Sequence, residues 1–282
     1  MEKSPKKTSP RILVTGGDGM LGSYFKNDLR FLRFGKTDLD VTNFSQVEKI
    51  LRAEKPNIIL HLAALTDMKK CEEDPNLARN INEIGTYNIA RVAKEIEAKV
   101  VYVSTNAVFD GQKNGAYAVI DKPNPVNVYG QTKYSGELAV LRADPRNLVV
   151  RTSWIFGGGK MKDRKFVGKV LPKLLMDQPI SVVSDVKGTP TYAKDLACVL
   201  EKLLQSDISG VIHVTNSGSA LRYDMALVLK ETLRSHSEIS PTLLSSFGPI
   251  GNTLRNEVLD SGPHALRPWK EALEEYINTE WK

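Results

Sequence analysis

The chain has 282 residues, enough for one large domain or a core domain with a smaller lobe, so core size is not limiting. Hydrophobic residues make up 41% and charged residues 26%, the balance of an ordinary globular chain rather than a disordered one, and no apolar run approaches the ~20 residues of a membrane span. The net charge of +6 is spread along the chain and three of its lysines fall in the first ten residues, which argues against nucleic-acid binding.

Residues 1–10 carry Lys and Pro but no apolar core, and read as a disordered basic leader rather than a signal peptide. A cytoplasmic chain without membrane or nucleic-acid partners is expected. Arg11 to Gly22 then runs from an apolar strand into a glycine turn, Gly16-Gly17-Asp18-Gly19-Met20-Leu21-Gly22. Gly16 suits the sharp turn, Gly19 a close approach by a diphosphate, and Gly22 close helix–strand packing. A short helix over Met20–Leu29 and a strand over Phe31–Phe34 are expected. At the end of that strand a dinucleotide's adenosine ribose would be met. Lys36 is the first charge there and favours a 2′-phosphate, while Asp38 and Asp40 follow closely, and all three also suit a solvated loop.

Thr42-Asn43 caps a helix over Val41–Glu54, which Pro56 ends. Asn57–Ala64 is a continuous apolar run, the mark of a strand buried on both faces, and His61 within it reads as a satisfied core residue. Asp74-Pro75 opens a helix with Leu77, Ile81, Ile84 and Ile89 on its apolar side. Lys99–Thr105 is a strand ending in hydroxyls, Tyr129–Leu141 a helix, and Leu148–Thr152 a strand. This alternation predicts an α/β fold, a Rossmann-like doubly wound parallel sheet with its crevice at the strand C-termini. Beyond residue 153 the rhythm loosens. Gly157 to Lys169 reads as a mobile basic loop, Phe166–Met176, Tyr192–Leu204, Met225–Leu233 and Pro268–Tyr276 as helices, and Ile180–Val183 and Val211–Val214 as strands. Ser235–Gly262 has few apolar residues in register. The expected organisation is a Rossmann domain over 11–153, to which about 189–214 return, and a smaller α/β C-terminal substrate lobe from 154–188 and 215–282. Cys71 and Cys198 lack metal-ligand or disulfide spacing, and no metal site is expected.

Tyr129 and Lys133 stand four residues apart and share a helix face. A phenol with a pKa near 10 needs a nearby cation before it exchanges protons at neutral pH. Thr105, ending its strand 24 residues earlier, could hydrogen-bond a substrate carbonyl while Tyr129 handles the proton.

Together, Thr15-Gly16-x-x-Gly19-x-x-Gly22, His61-Leu62-Ala63-Ala64, Ser104-Thr105 and Tyr129-x-x-x-Lys133 resemble the extended short-chain dehydrogenase/reductase family. Val108-Phe109-Asp110-Gly111, Pro125-Val126-Asn127-Val128-Tyr129-Gly130, Arg151-Thr152-Ser153-Trp154 and Gly188-Thr189-Pro190-Thr191 are similar to its dTDP-4-dehydrorhamnose reductase branch, and the likeness runs to Arg267–Leu273. The resemblance implies hydride transfer from NADPH or NADH to the C4 ketone of a nucleotide-linked 6-deoxy sugar, and Lys36 favours NADP(H) over NAD(H). Such an enzyme would serve deoxysugar supply for a polysaccharide or a glycosylated metabolite; the sequence leaves the oligomeric state open, a homodimer included. It makes Tyr129 the acid, Lys133 its activator and a ribose ligand, and Thr105 the carbonyl anchor. It places Gly16, Asp18, Gly19, Met20 and Leu21 at the diphosphate, Asp40 and Val41 near the adenine, Ala63 and Ala64 near the nicotinamide, and Trp154 against the substrate, where core packing is the alternative.

Two departures bear on the sugar. The branch has Ser-Thr-Asp-Tyr where this chain has Ser104-Thr105-Asn106-Ala107, so Asn106 meets the substrate without a carboxylate or a neighbouring phenol. An acid is usual at the position of Lys69. Alternative readings are another sugar-nucleotide reductase or epimerase, or a non-catalytic NADP-binding subunit resembling the methionine adenosyltransferase β subunit.

Overall fold

The computed structural model describes residues 10–26, 28–247 and 254–281, so the basic leader lies, but for Pro10, outside the described residues. Strands β1 (Ile12–Thr15), β2 (Phe31–Phe34), β3 (Ile58–His61), β4 (Lys99–Thr105), β5 (Leu148–Thr152) and β6 (Gly210–His213) form one parallel sheet in the order β6-β5-β4-β3-β1-β2. Successive side chains point to opposite faces. Ile12, Val14, Leu60 and Val150 therefore pack under the helix Ala193–Leu204 on one face. Leu13, Ile59, Val100 and Val149 pack under the helices Phe44–Glu54 and Gly85–Glu95 on the other. With both faces covered, β1, β3 and β5 are apolar almost throughout and fully buried.

After β2 the chain crosses back over β1 to begin β3, so the connections leave in opposite directions between β1 and β3. That reversal opens a crevice at their C-terminal ends. It sets the glycine turn after Thr15 beside Leu62–Ala64.

The helix expected over Met20–Leu29 is instead a five-residue 3-10 turn, Leu21–Phe25. Few residues link the glycine turn to β2, and a 3-10 turn rises ~2.0 Å per residue against 1.5 Å for an α-helix, so it spans the return in fewer residues. Leu29 is left fully exposed. A helix Met68–Glu73, capped by Asp67, precedes the one that Asp74 and Pro75 open. Further on, that run widens into a π-turn at Arg79–Ile84 before Gly85–Glu95.

The second core joins Phe156, Val167, Leu171, Tyr192, Met225, Leu229, Trp269, Leu273 and Tyr276. Within Ser235–Gly262, Ile239–Thr242 pairs in parallel with Ile180–Val183. The stretch read as a mobile basic loop is docked: it forms a short helix, Gly159–Lys162, and its lysines reach the sheet domain.

Candidate active site

Asn127 starts the helix Val128–Ala143 by accepting from the Gly130 N–H at 2.7 Å. Two glycines let this helix lie close to its neighbours: a Cβ at Gly130 would stand 2.0 Å from the Ala107 carbonyl, and one at Gly136 2.9 Å from that of Asn82. The result places Tyr129 and Lys133, one turn apart, on the wall of a cleft of about 870 Å³ together with Thr105.

Lys133 is buried, donates to the Val103 carbonyl at 2.8 Å and sits 4.0 Å from the centre of the Tyr102 ring. Burial pulls its pKa down to about 7, against the attraction of Glu137 one turn on. Glu137 itself is closed off beneath the site, paired with Arg151 at 2.7 Å and accepting from Ser104 Oγ at 2.5 Å. Tyr129 is pushed up to about 12 by burial, and its hydrogen bond with the Thr105 hydroxyl draws it back. The ammonium was expected to favour the phenolate. In this state burial wins and Tyr129 keeps its proton, which suits a group that must donate one.

Gly16 has φ +65°, and a Cβ there would lie 2.8 Å from the Ala63 nitrogen, so the turn tolerates no side chain. At Gly19 a Cβ would meet only the Gly16 carbonyl, at 3.1 Å; the rest of its surroundings is open cleft. Gly16, Gly19, Met20, Leu21, Ala64, Asn106 and Trp154 line the same cleft. This open cradle leading to a buried ammonium fits a dinucleotide laid from the turn towards Tyr129.

Asp18, Lys36, Asp40, Val41 and Ala63 lie outside that wall. The Asp18 carboxylate projects to solvent 3.9 Å from Arg33, and Lys36 is exposed. Asp40 accepts from the Thr42 N–H and hydroxyl, which folds it into its own loop. Val41 is core packing against Gly85, and Ala63 lies under Gly16. His61 is fully buried between the Thr15 and Thr86 hydroxyls, at 2.6 and 3.1 Å. The Thr86 hydroxyl donates to Asn82 O, so it accepts from Nε2–H while Nδ1 accepts from Thr15. Burial lowers the His61 pKa to about 3 and keeps the ring neutral.

Trp154 takes φ +40°, strained for a tryptophan, and its ring occupies the space a Gly188 Cβ would fill. The Arg222 guanidinium stacks on that ring at 4.1 Å, and Arg222 lines the cleft. Glu257 enters from the far end of the chain: Asn106 Nδ2 donates to it at 2.6 Å. Buried Asn82, in the π-turn, accepts from the Leu65 N–H and donates to Leu65 O and to Thr132, tying the β3 loop to the Tyr129 helix. Arg222 and Glu257 carry no motif. Asn82 had one weak signal, a polar residue within an apolar helical stripe.

Residues 10–281 match the family model for the RmlD substrate binding domain. The chain is 31% identical to a dTDP-4-dehydrorhamnose reductase of Mycolicibacterium smegmatis, over 95% of this chain and 85% of that one. It is likewise 31% identical to the spore coat polysaccharide biosynthesis protein SpsK of Bacillus subtilis, over 95% and 96%. The crystal structure of Bacillus anthracis dTDP-4-dehydrorhamnose reductase in complex with NADP superposes with a TM-score of 0.90 at 31% identity, covering 96% of this chain and 99% of that one. Fold, motifs and matches agree over nearly the whole length: the chain belongs to the dTDP-4-dehydrorhamnose reductase family and is an NAD(P)-dependent oxidoreductase.

Proposed function

We propose that this chain reduces the C4 ketone of a nucleotide-linked 6-deoxy-4-keto sugar, with NADP(H) preferred over NAD(H), in the cytoplasm. One observation carries the reading: Thr105, Tyr129 and the buried Lys133 share the wall of a cleft that begins at the glycine turn. When bound, the reduced nicotinamide supplies the hydride. Thr105 holds the carbonyl oxygen by a hydrogen bond, and Tyr129 gives that oxygen its phenolic proton, so hydride and proton together complete the alcohol. The Lys133 charge offsets the negative charge left on the phenol. Purified protein mixed with NADPH and a panel of nucleotide-4-keto sugars should oxidise the cofactor, read by absorbance. Tight NADPH binding without turnover on any sugar would instead support the regulatory-subunit reading.

The sugar end departs from the branch pattern. The carboxylate absent at Asn106 returns from the opposite wall as Glu257, with the Asn106 amide oriented by it. Asn106→Asp is therefore expected to lower kcat/KM by ten- to a hundredfold, because two carboxylates at hydrogen-bond distance repel. Adding Glu257→Gln should recover most of the loss. Simple additivity of the two changes would show that the pair is not coupled.

Cofactor preference points to Arg33 as well as Lys36. Arg33 donates to the Gly17 carbonyl at 2.6 Å, where β2 meets the glycine turn, and a Cβ on Gly17 would strike it. Arg33→Gln should weaken NADPH by about tenfold and NADH by less than threefold, and Lys36→Asp should act in the same sense more weakly. Equal losses for both cofactors, measured by fluorescence titration, would remove the 2′-phosphate role from these residues.

A further inference from the structure

From the end of β5 the smaller lobe sends Gly157–Lys162 back across the mouth of the cleft, and this strap is fixed on both sides. The Gly158 N–H donates to Tyr24 Oη at 2.7 Å, and Tyr24 donates in turn to Glu280 at 2.7 Å. The other Glu280 oxygen accepts from Tyr192 at 2.6 Å. Gly158, at φ +79°, has no Cβ to press on Met20 of the glycine turn, whose Cγ would lie 3.3 Å away. The short helix Gly159–Lys162 then delivers the Lys162 ammonium to the carbonyl of Asp18, inside the Gly16–Gly19 turn.

Lys162 is half-buried and lines the cleft with Gly16, Gly19 and Met20. Among the described residues no carboxylate lies within ion-pair distance of it. An ammonium has three donors. With one on Asp18 O, two are left over an open glycine cradle, and a compact cation there lacks its anion.

We propose that Lys162 is a ligand of the cofactor diphosphate, supplied by the smaller lobe, so that dinucleotide binding fastens that lobe over the sugar half of the cleft. The proposal rests on the NAD(P) reading. The residues that follow Lys162 make the coupling concrete: Lys165 crosses to the opposite wall and donates to the Thr66 carbonyl and hydroxyl at 3.0 and 2.9 Å, and Phe166 lines the sugar side. Seating Lys162 thus sets both walls that receive the second substrate, and by linkage each ligand tightens the other. A nucleotide-sugar also carries a diphosphate, but the position on the glycine turn assigns Lys162 to the cofactor's.

Calorimetric titration of the full chain with ADP-ribose and, separately, with dTDP distinguishes the two sources. Lys162→Gln should weaken ADP-ribose about tenfold and leave dTDP alone within twofold, while Lys162→Arg should retain most of the ADP-ribose affinity. ADP-ribose should also tighten dTDP in the unaltered protein and not in Lys162→Gln. Unchanged ADP-ribose binding by Lys162→Gln, or a loss seen for dTDP as well, overturns the proposal while the dinucleotide reading stands. Failure of the unaltered protein to bind either ADP-ribose or NADPH overturns both. A thermal melt of Lys162→Gln within ~2 °C of the unaltered protein shows that the binding change is local, and Lys162→Arg carries the test if it is not.

Discussion

Tyr129→Phe is expected to lower kcat by roughly a thousandfold while NADPH affinity stays within about threefold, because the change removes the proton that is transferred to the carbonyl oxygen and little else. The neighbouring groups are poor replacements. Lys133 is turned to the Val103 carbonyl, and the Cys71 thiol is buried and pushed up to about 11. Thr105 still accepts from the Ala107 N–H at 3.2 Å, so the pocket should keep its shape and the melting temperature should shift little. The pH profile of the unaltered enzyme separates the two groups. Tyr129 remains protonated up to about 12, whereas Lys133 loses its charge as pH rises through about 7. The kcat/KM profile reports the free enzyme and should therefore begin to fall near neutrality. A plateau that holds to pH 11 would show that the ammonium is not required in its charged form. A Tyr129→Phe enzyme within tenfold of the unaltered rate would remove the phenol from the mechanism.

What was legible in the sequence follows from which physical signal is local. The strands β1, β3, β4 and β5 announce themselves because a parallel sheet covered on both faces needs unbroken apolar runs. The helix carrying Tyr129 and Lys133 is legible because a four-residue spacing is a shared face on any helix. Leu21–Phe25 was not, since its form is set by the short path back to β2 rather than by its own periodicity. Ile239–Thr242 was hidden for a similar reason: an edge pairing with Ile180–Val183 needs only backbone groups, and Pro241 and two hydroxyl residues disguise it. At the site, Lys36 stands out by its distance along the chain from a strand end and Asp40 through the family resemblance. Arg33, inside the strand, is the residue that meets the glycine turn, and only side-chain direction shows that. Glu257 reaches Asn106 across 151 positions, a juxtaposition that no local pattern encodes. Arg222 begins an ordinary helix, and its place in the cleft shows only in its stacking on the Trp154 ring, which no sequence pattern encodes.

Lys133→Met should stabilise the protein and inactivate it together. The ammonium is buried with one hydrogen bond and an aromatic face for company, and its pKa has fallen from 10.5 to about 7. Between those two values the unfolded chain holds a proton that the folded chain does not, so the stability of the unaltered protein rises with pH across the window. Its handicap is therefore largest at pH 7 and below, and gone above 10.5. Methionine has a similar length, carries no charge to desolvate and packs well on the Tyr102 ring. Against this stands about 1 kcal/mol for leaving the Val103 carbonyl without its donor. A net gain of about 2–4 kcal/mol at pH 6.5 is expected, several degrees in melting temperature, shrinking towards zero by pH 10. His61, which the Lys133 charge also pushes down, is neutral in the folded chain across this window, and groups away from Lys133 cancel in the comparison. Turnover should fall by a hundredfold or more, since no charge remains to offset the phenolate. Melts followed by circular dichroism at pH 6.5 and 9.5 decide the matter: a variant less stable at pH 6.5, or one whose advantage grows with pH, would mean that Lys133 is held for the fold and not at its expense.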